Sequence, residues 1–360
     1  MARFEDVLAA LPDFRNALHT QTHEEAASPG IMAAFVERGN VPAFSTPLRN
    51  VHATAVGVRV RNGKVIDDEF VLKVFVFNKL DLGEQTPMIM REYGGIGVDV
   101  EPLPVQVAAP ALQPGEGRTA SASKASAAVS PPRGPVRPII GGVSTAPISR
   151  SYAGTLGSFV QRRDESGATT FALSNNHVFA DVNTLPAGTI MIQPAARDGS
   201  PNEEYAKLTA YTPIQFPPPA AVTNRFDAAI AAVTDITKVK LGTINGIARY
   251  TPVIGTPVPG MRVTKSGRTT GVTSGKIVAI RTNPIQVDYG VPGSPRIASF
   301  IDTIEIIGDS GSFSMPGDSG SVILDTESGR PVALLFAGDG VHTTACDFGG
   351  VCRALNVVPV

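Results

Sequence analysis

PGDSGSVIL, residues 316–324, is a tight turn running into a strand: Gly317 and Gly320 bracket Asp318 and Ser319, and Val322-Ile323-Leu324 is a short apolar, β-branched run. A charged turn and a second apolar run, Pro331–Phe336, follow it. The same rhythm extends back to Tyr152. Thr169–Leu173, Thr189–Ile192, Ala228–Val233 and Ile277–Ile280 are apolar runs separated by Gly, Pro and Asn turns, with no helical pattern between them. Residues 151–360 therefore predict a mostly β unit, an antiparallel barrel or sandwich, and their length suits two packed barrels.

Upstream the pattern changes. Phe4, Val7, Leu8, Leu11 and Phe14 have helical spacing over 3–19, and Ser28-Pro29 opens a second predicted helix through Val36, closed by Gly39. Val56, Val58 and Val60 alternate with smaller or charged residues. Asn62-Gly63 is a hairpin signal, and Phe70–Asn78 and Ile96–Val100 read as strands. Residues 1–112 are thus expected to form a small α+β domain. Residues 113–150, rich in Ala, Ser and Pro, hold too little apolar surface to offset their ordering entropy and read as a flexible linker.

The totals exclude several classes. The 360 residues are 42% hydrophobic with a net charge of −1 and no long basic run, so nucleic acid or an anionic membrane is not expected as a partner. MARFEDVLAALPDF lacks a basic region followed by an apolar core, and no apolar stretch is long enough to cross a bilayer. With only Cys346 and Cys352 the expected compartment is cytoplasmic, the thiols free, and a zinc site short of ligands.

Three motifs carry chemistry: Ser174-Asn-Asn-His177-Val178 after a strand, Arg225-Phe-Asp227-Ala-Ala-Ile230 at the start of another, and Gly317-Asp318-Ser319-Gly320. A serine hydroxyl needs an imidazole to take its proton, and the imidazole needs a carboxylate to fix its tautomer. Ser319 fits the nucleophile, His177 the general base and Asp227 the orienting acid, because a carboxylate entering a buried strand needs a partner. Asp235 is the competing acid. The Gly317 and Ser319 amides fit an oxyanion hole. Gly308-Asp309-Ser310-Gly311-Ser312 repeats the same five letters, but no comparable strand follows Ser312. His19, His23 and His52 read as non-catalytic, and His342 as a surface-loop residue. An α/β-hydrolase elbow would need Gly-x-Ser-x-Gly, and both copies here end in Ser.

These motifs, in the order His, Asp, Ser with gaps of 50 and 92 residues, resemble those of the chymotrypsin/trypsin-like serine peptidases, as does VTKSGRTTGVTSGKI at 263–277. The resemblance spans about 150–357. It implies a double antiparallel β-barrel peptidase domain that hydrolyses peptide bonds through an acyl-enzyme, without cofactor or metal, and takes a protein or peptide as its partner. It places Phe313 and Ser314 at the base of the substrate pocket and Leu335, Phe336, Ala337 and Gly338 along its wall. With no acid there, small or apolar P1 residues are expected. It also implies an ion pair between Asp318 and Lys265 or Arg268. Ile139-Ile140-Gly141-Gly142 resembles the start of an activated chain, but Pro138 disfavours cleavage there. Two alternatives are a silent peptide-binding scaffold and a protease limited to self-cleavage in the linker. A regulatory contact between residues 1–112 and the peptidase domain is a further expectation.

Overall fold

Asn62 and Gly63 both take positive φ (50° and 73°), the conformation a two-residue hairpin turn needs, and join β1 (Val51–Arg61) to β2 (Lys64–Val76). The computed structural model describes residues 2–25, 50–77, 89–108, 132–163, 169–216, 224–291 and 293–360. The second predicted helix and residues 113–131 of the expected linker lie outside them. The first helix runs over Phe4–Glu25, longer than the spacing predicts, and buries Val7, Leu11, Phe14 and Leu18. Its Phe4 and Phe14 rings meet Phe70 and Tyr93.

After β3 (Glu92–Tyr93), β4 (Ile96–Pro102) lies parallel to β2, and β5 (Gln106–Val107) follows. Within 132–150, β6 (Ile139–Gly141) and β7 (Val143–Pro147) correct the linker reading: they are ordered strands, and every residue of β7 is buried. Val-Ser-Thr-Ala-Pro is too short and too weakly apolar to announce a strand, and its partners supply the burial.

β7 pairs with β8 (Gly154–Leu156), which continues through Gly157 into β9 (Ser158–Arg162). β9 pairs with β10 (Thr170–Ser174). β11 (Ile190–Gln193), β12 (Glu203–Tyr211) and β13 (Ala229–Val233) complete the ring, since β10 pairs with β13, β13 with β12, β12 with β11 and β11 with β7. Phe159, Phe179, Met191 and Tyr205 fill this first barrel. β14 (Val239–Ile244) lies parallel to β6 beside it.

A second ring has the order β15 (Arg262–Gly267), β16 (Gly271–Asn283), β19 (Thr303–Gly308), β22 (His342–Asp347), β21 (Pro331–Gly338), β20 (Val322–Asp325) and back to β15. The hairpin of β17 (Ile285–Asp288) and β18 (Ile297–Phe300) leaves it between β16 and β19. Val263, Ile277, Ile306, Phe313 and Ile323 pack its interior. After the helix Phe348–Ala354, β23 (Val357–Pro359) pairs with β9 of the first ring. Leu173, Ile230, Val322, Phe336 and Val351 form the apolar layer shared by the rings. The fold is mostly β, a double antiparallel barrel with the three sequence motifs near the junction. β1 pairs with β16, so the N-terminal sheet is hydrogen-bonded to the second barrel.

Where the N-terminal sheet and β5 approach that barrel, polar side chains are buried. Lys73 pairs with Glu101 at 2.6 Å and Asp99 at 3.4 Å. Glu305 accepts from Thr303 and Thr344 at 2.8 and 2.6 Å. Burial pushes the Glu305 carboxyl up to about 7, against the two threonine hydroxyls, which lower it. The unfolded chain releases this proton near pH 4.5, whereas the folded chain holds it to about pH 7. Stability therefore falls as pH rises through that window, by about 3 kcal/mol in full. His342 adds to the fall. Burial lowers its pKa, but Asp339, with Glu305 and Glu101, raises it above the ordinary value, so its stabilisation is lost as pH rises through the folded value. Glu305→Gln keeps hydrogen-bonding capacity for both threonines and removes one charge. Its melting temperature is expected to fall less than wild type between pH 5 and pH 8, and identical shifts in the two proteins would refute the assignment.

Candidate active site

His177 sits on the one-turn helix Asn176–Phe179, immediately past the end of β10. The two asparagines before it explain the motif. Asn175 donates to the Asp227 carbonyl (2.6 Å), and Asn176 donates to Asn183 Oδ1 and the Thr212 carbonyl (both 2.7 Å). The helix is thereby tied to the segment entering β13, which carries Asp227.

His177 Nδ1 lies 2.5 Å from Asp227 Oδ2, and the His177 backbone N–H donates to Oδ1 at 3.1 Å. A carboxylate accepts, so Nδ1 carries the hydrogen and Nε2 of the neutral ring keeps its lone pair. The Tyr289 hydroxyl also donates to Asp227 Oδ2 (2.9 Å), and its ring meets the imidazole edge-on at 5.9 Å between centroids. Burial, with the Asp227 charge, holds Tyr289 well above the usual phenol range, so it stays a donor. The Cys346 thiol accepts the Asp227 N–H at 3.4 Å. Burial pushes that thiol up, and both cysteines are free.

Ser319 is brought to the same strand ends. Its carbonyl accepts from Thr155 N of β8 (2.9 Å), while Ser174, three residues before His177, donates to the Thr155 carbonyl (2.7 Å). Two glycines make this approach possible. A Cβ on Gly157 would lie 2.3 Å from the Gly320 carbonyl, and one on Gly320, whose φ is 95°, would lie 2.2 Å from both Ser174 Oγ and the Thr155 carbonyl. Among the described residues neither His177 Nε2 nor the Ser319 hydroxyl has a hydrogen-bond partner, and the two residues are only 1% and 4% exposed. The imidazole is thus bonded on its Asp227 side and unpartnered at Nε2.

Around Ser319 the amides divide into two sets. Asp318, Gly320 and Ser321 donate to Met315, Leu335 and Asp318 carbonyls. Gly317, with φ 97°, and Ser319 have no acceptor among the described residues, which leaves two N–H groups free beside the hydroxyl.

Lys265 is the cation of the buried pair: its Nζ lies 3.2 Å from Asp318 Oδ2, both side chains fully buried. Asp318 also accepts from Thr269 N, Thr270 N, Thr270 Oγ1 and Met315 N. Arg268 does not share it; its guanidinium pairs with Asp198. Ile139 is a fully buried strand residue, hydrogen-bonded along β14. The expected pocket residues divide between two apolar clusters, with a register irregularity in β21 between Leu335 and Ala337. Phe313 and Leu335 turn into the core of the second barrel, whereas Phe336 and Ala337 pack in the layer between barrels. Ser314 Oγ and Thr343 Oγ1 bond each other at 2.7 Å next to Gly338. The Phe313 side chain is thus buried in the second barrel and not displayed on a surface.

Ser310 is exposed in the turn after β19, and Asp235 caps its own turn by accepting from Thr237. His342 corrects the surface-loop reading: it opens β22, is buried, and pairs with Asp339 at 3.4 Å. Thr155 and Tyr289 escape sequence reasoning altogether; each joins residues far apart in the chain and has no local motif. Among the described residues no group of three or more His, Cys, Asp or Glu is arranged to hold a metal ion, and no helix is long and apolar enough to cross a membrane.

No family model matches the sequence, and no curated protein matches it. Among solved structures, it is similar to Thermobifida fusca Protease A (17% identity, 62% of this chain and 98% of that one, TM-score 0.42). A second is Cellulomonas bogoriensis chymotrypsin (19% identity, 61% and 97%, TM-score 0.41). A third is a glutamic acid-specific serine protease with a histidine triad in substrate binding (19% identity, 62% and 100%, TM-score 0.43).

Proposed function

We propose that the chain is a serine endopeptidase, with His177, Asp227 and Ser319 as its triad and the Gly317 and Ser319 amides as its oxyanion hole. The observation that carries this reading is the His177–Asp227 hydrogen bond, with the far ring nitrogen left unpartnered at the strand ends that hold Ser319. In the proposed reaction Nε2 takes the Ser319 proton as Oγ adds to a peptide carbonyl. The two free amides receive the oxyanion, and the protonated imidazole returns the proton to the leaving amine. Water then repeats the sequence on the acyl-enzyme. Asp227 holds the ring, and the Tyr289 hydroxyl donates to the same carboxylate oxygen. Ser314 and Thr343 satisfy one another beside Gly338, which favours a small or apolar P1 residue over a cationic one.

A fluorophosphonate probe is expected to label the protein once, with labelling lost in Ser319→Ala and kept in Ser310→Ala. Labelling elsewhere, or no labelling of the folded protein, would overturn the reading. Tyr289→Phe removes one hydrogen bond to a charged acceptor and is expected to slow labelling by about tenfold, as the loss of 1.5 kcal/mol does. An unchanged rate would remove Tyr289 from the relay.

A further inference from the structure

Each residue of β21 has two edges on which another strand can lie. β22 takes one edge as far as Gly338, which pairs with Thr343. On the other edge β20 pairs only up to Leu334, and the nucleophile turn continues the contact: Gly320 N donates to the Leu335 carbonyl and Leu335 N to the Ser321 carbonyl, both at 3.0 Å. Beyond Leu335 this edge, Phe336–Gly338, starts beside Ser319 and has no β20 partner. An extended peptide added here would carry a carbonyl to the nucleophile, the main-chain mode of recognition that unpaired edges offer.

The Gly338 end of this edge is already taken by the protein's own chain. Val107 of β5 pairs antiparallel with Gly338, so that β5 runs toward Leu335 and the nucleophile. On its far side β5 pairs in parallel with β17, and Ala108 N donates to the Asp288 carbonyl at 3.0 Å. One residue back, the Gln106 side chain is fully buried. Its Nε2 donates to Asp339 Oδ2 (3.0 Å) and the Pro104 carbonyl (2.8 Å), and its Oε1 accepts from Thr344 (3.3 Å). The Val107 side chain stays 45% exposed. This is a seated peptide: backbone pairing on both edges, one side chain in a polar socket and the next turned outward.

We propose that Leu103–Ala108 is a built-in peptide ligand on the substrate edge, which an incoming substrate must displace before its carbonyl reaches Ser319. The inference rests on the peptidase reading for the word substrate, but the occupied edge is independent of chemistry. It gives the N-terminal region a regulatory role: whatever pulls β5 from the edge opens the site. The near-complete burial of His177 and Ser319 accords with a closed state.

The test uses the full-length chain and a fluorescein-labelled Leu-Pro-Val-Gln-Val-Ala peptide, the sequence of residues 103–108. Val107→Pro deletes an N–H from the ladder at an outward-facing position, and Gln106→Ala empties the socket. In a Ser319→Ala background, both variants are expected to bind the peptide at least about tenfold tighter than the otherwise unaltered chain, because a site occupied nine-tenths of the time weakens apparent affinity by that factor. Should one variant fail to melt cooperatively, the other decides. Equal binding by variant and parent, or binding by neither, overturns the inference. Fluorophosphonate labelling of the Ser319-containing chains separates the two claims. Faster labelling in the variants with tighter binding supports both. Tighter peptide binding with no labelling in any chain sustains the occupied edge and defeats the peptidase. Labelling at one rate in all chains with equal peptide binding leaves the peptidase and removes the built-in ligand.

Discussion

Ser319→Ala is expected to lower peptide hydrolysis on the order of 10⁶-fold, because the members of a triad act as a unit. Ser310→Ala, on an exposed turn of the same local sequence, is expected to leave hydrolysis within about a factor of two, as surface changes do. The contrast is sharp because the two pentapeptides are identical in sequence and differ only in surroundings. Ser319 hangs from Thr155 and stands between free amides, on the strand ends that carry His177. Asp309, in the other copy, bonds to the Ser274 carbonyl through its amide and to Arg262 through its carboxylate. Stability moves the other way. The Ser319 hydroxyl has no hydrogen-bond partner among the described residues, so deleting it leaves the melting temperature unchanged or raised. Activity and melting measured on both alanine variants check this. Loss of activity in Ser310→Ala, or its survival in Ser319→Ala, would end the triad assignment.

The second large effect concerns Lys265. Its ammonium is fully buried, and burial lowers its pKa while Asp318 opposes that shift. Lys265→Met leaves the Asp318 carboxylate buried with its four hydrogen-bond donors but no cation. Removing one partner of such a pair costs about 3–5 kcal/mol. The same carboxylate anchors Met315, Thr269 and Thr270, so the turn carrying Gly317 and Ser319 is expected to loosen too. Urea denaturation should register the loss, and adding Asp318→Asn should recover part of it by removing the stranded charge. A loss below about 1 kcal/mol, the range of an exposed pair, would mean that water reaches Asp318. The buried cation beside Asp318 is the Lys265 side chain rather than a new N-terminus, so the proposed oxyanion turn needs no cleavage at Ile139 to be held.

Much of the molecule is readable from short stretches. Turn residues such as Asn62-Gly63, the alternation in β1 and the apolar runs that became β10, β13, β20 and β21 are local signals, because a strand's period and a turn's φ requirement depend on neighbours in sequence. The motif residues are also placed by local signals: His177 follows a strand, Asp227 precedes one, and Gly317 and Gly320 supply the positive φ values of the turn around Ser319. Choice among chemically equal partners is not local. Lys265 and Arg268 lie three residues apart on one segment, yet strand register gives Asp318 to the first and Asp198 to the second. Tyr289 reaches Asp227 only because the β17–β18 hairpin folds back over the site. Sequence alone determined the strand-rich class, the double-barrel expectation and the identity of three side chains in order. Tertiary structure decided who pairs with whom, that Val143–Pro147 is barrel rather than linker, and that Gln106–Val107 lies on the edge leading to Ser319. Those outcomes depend on hydrogen bonds and burial between segments far apart in the chain, 238 residues in the case of Gln106 and Thr344, for which a local stretch has no signature.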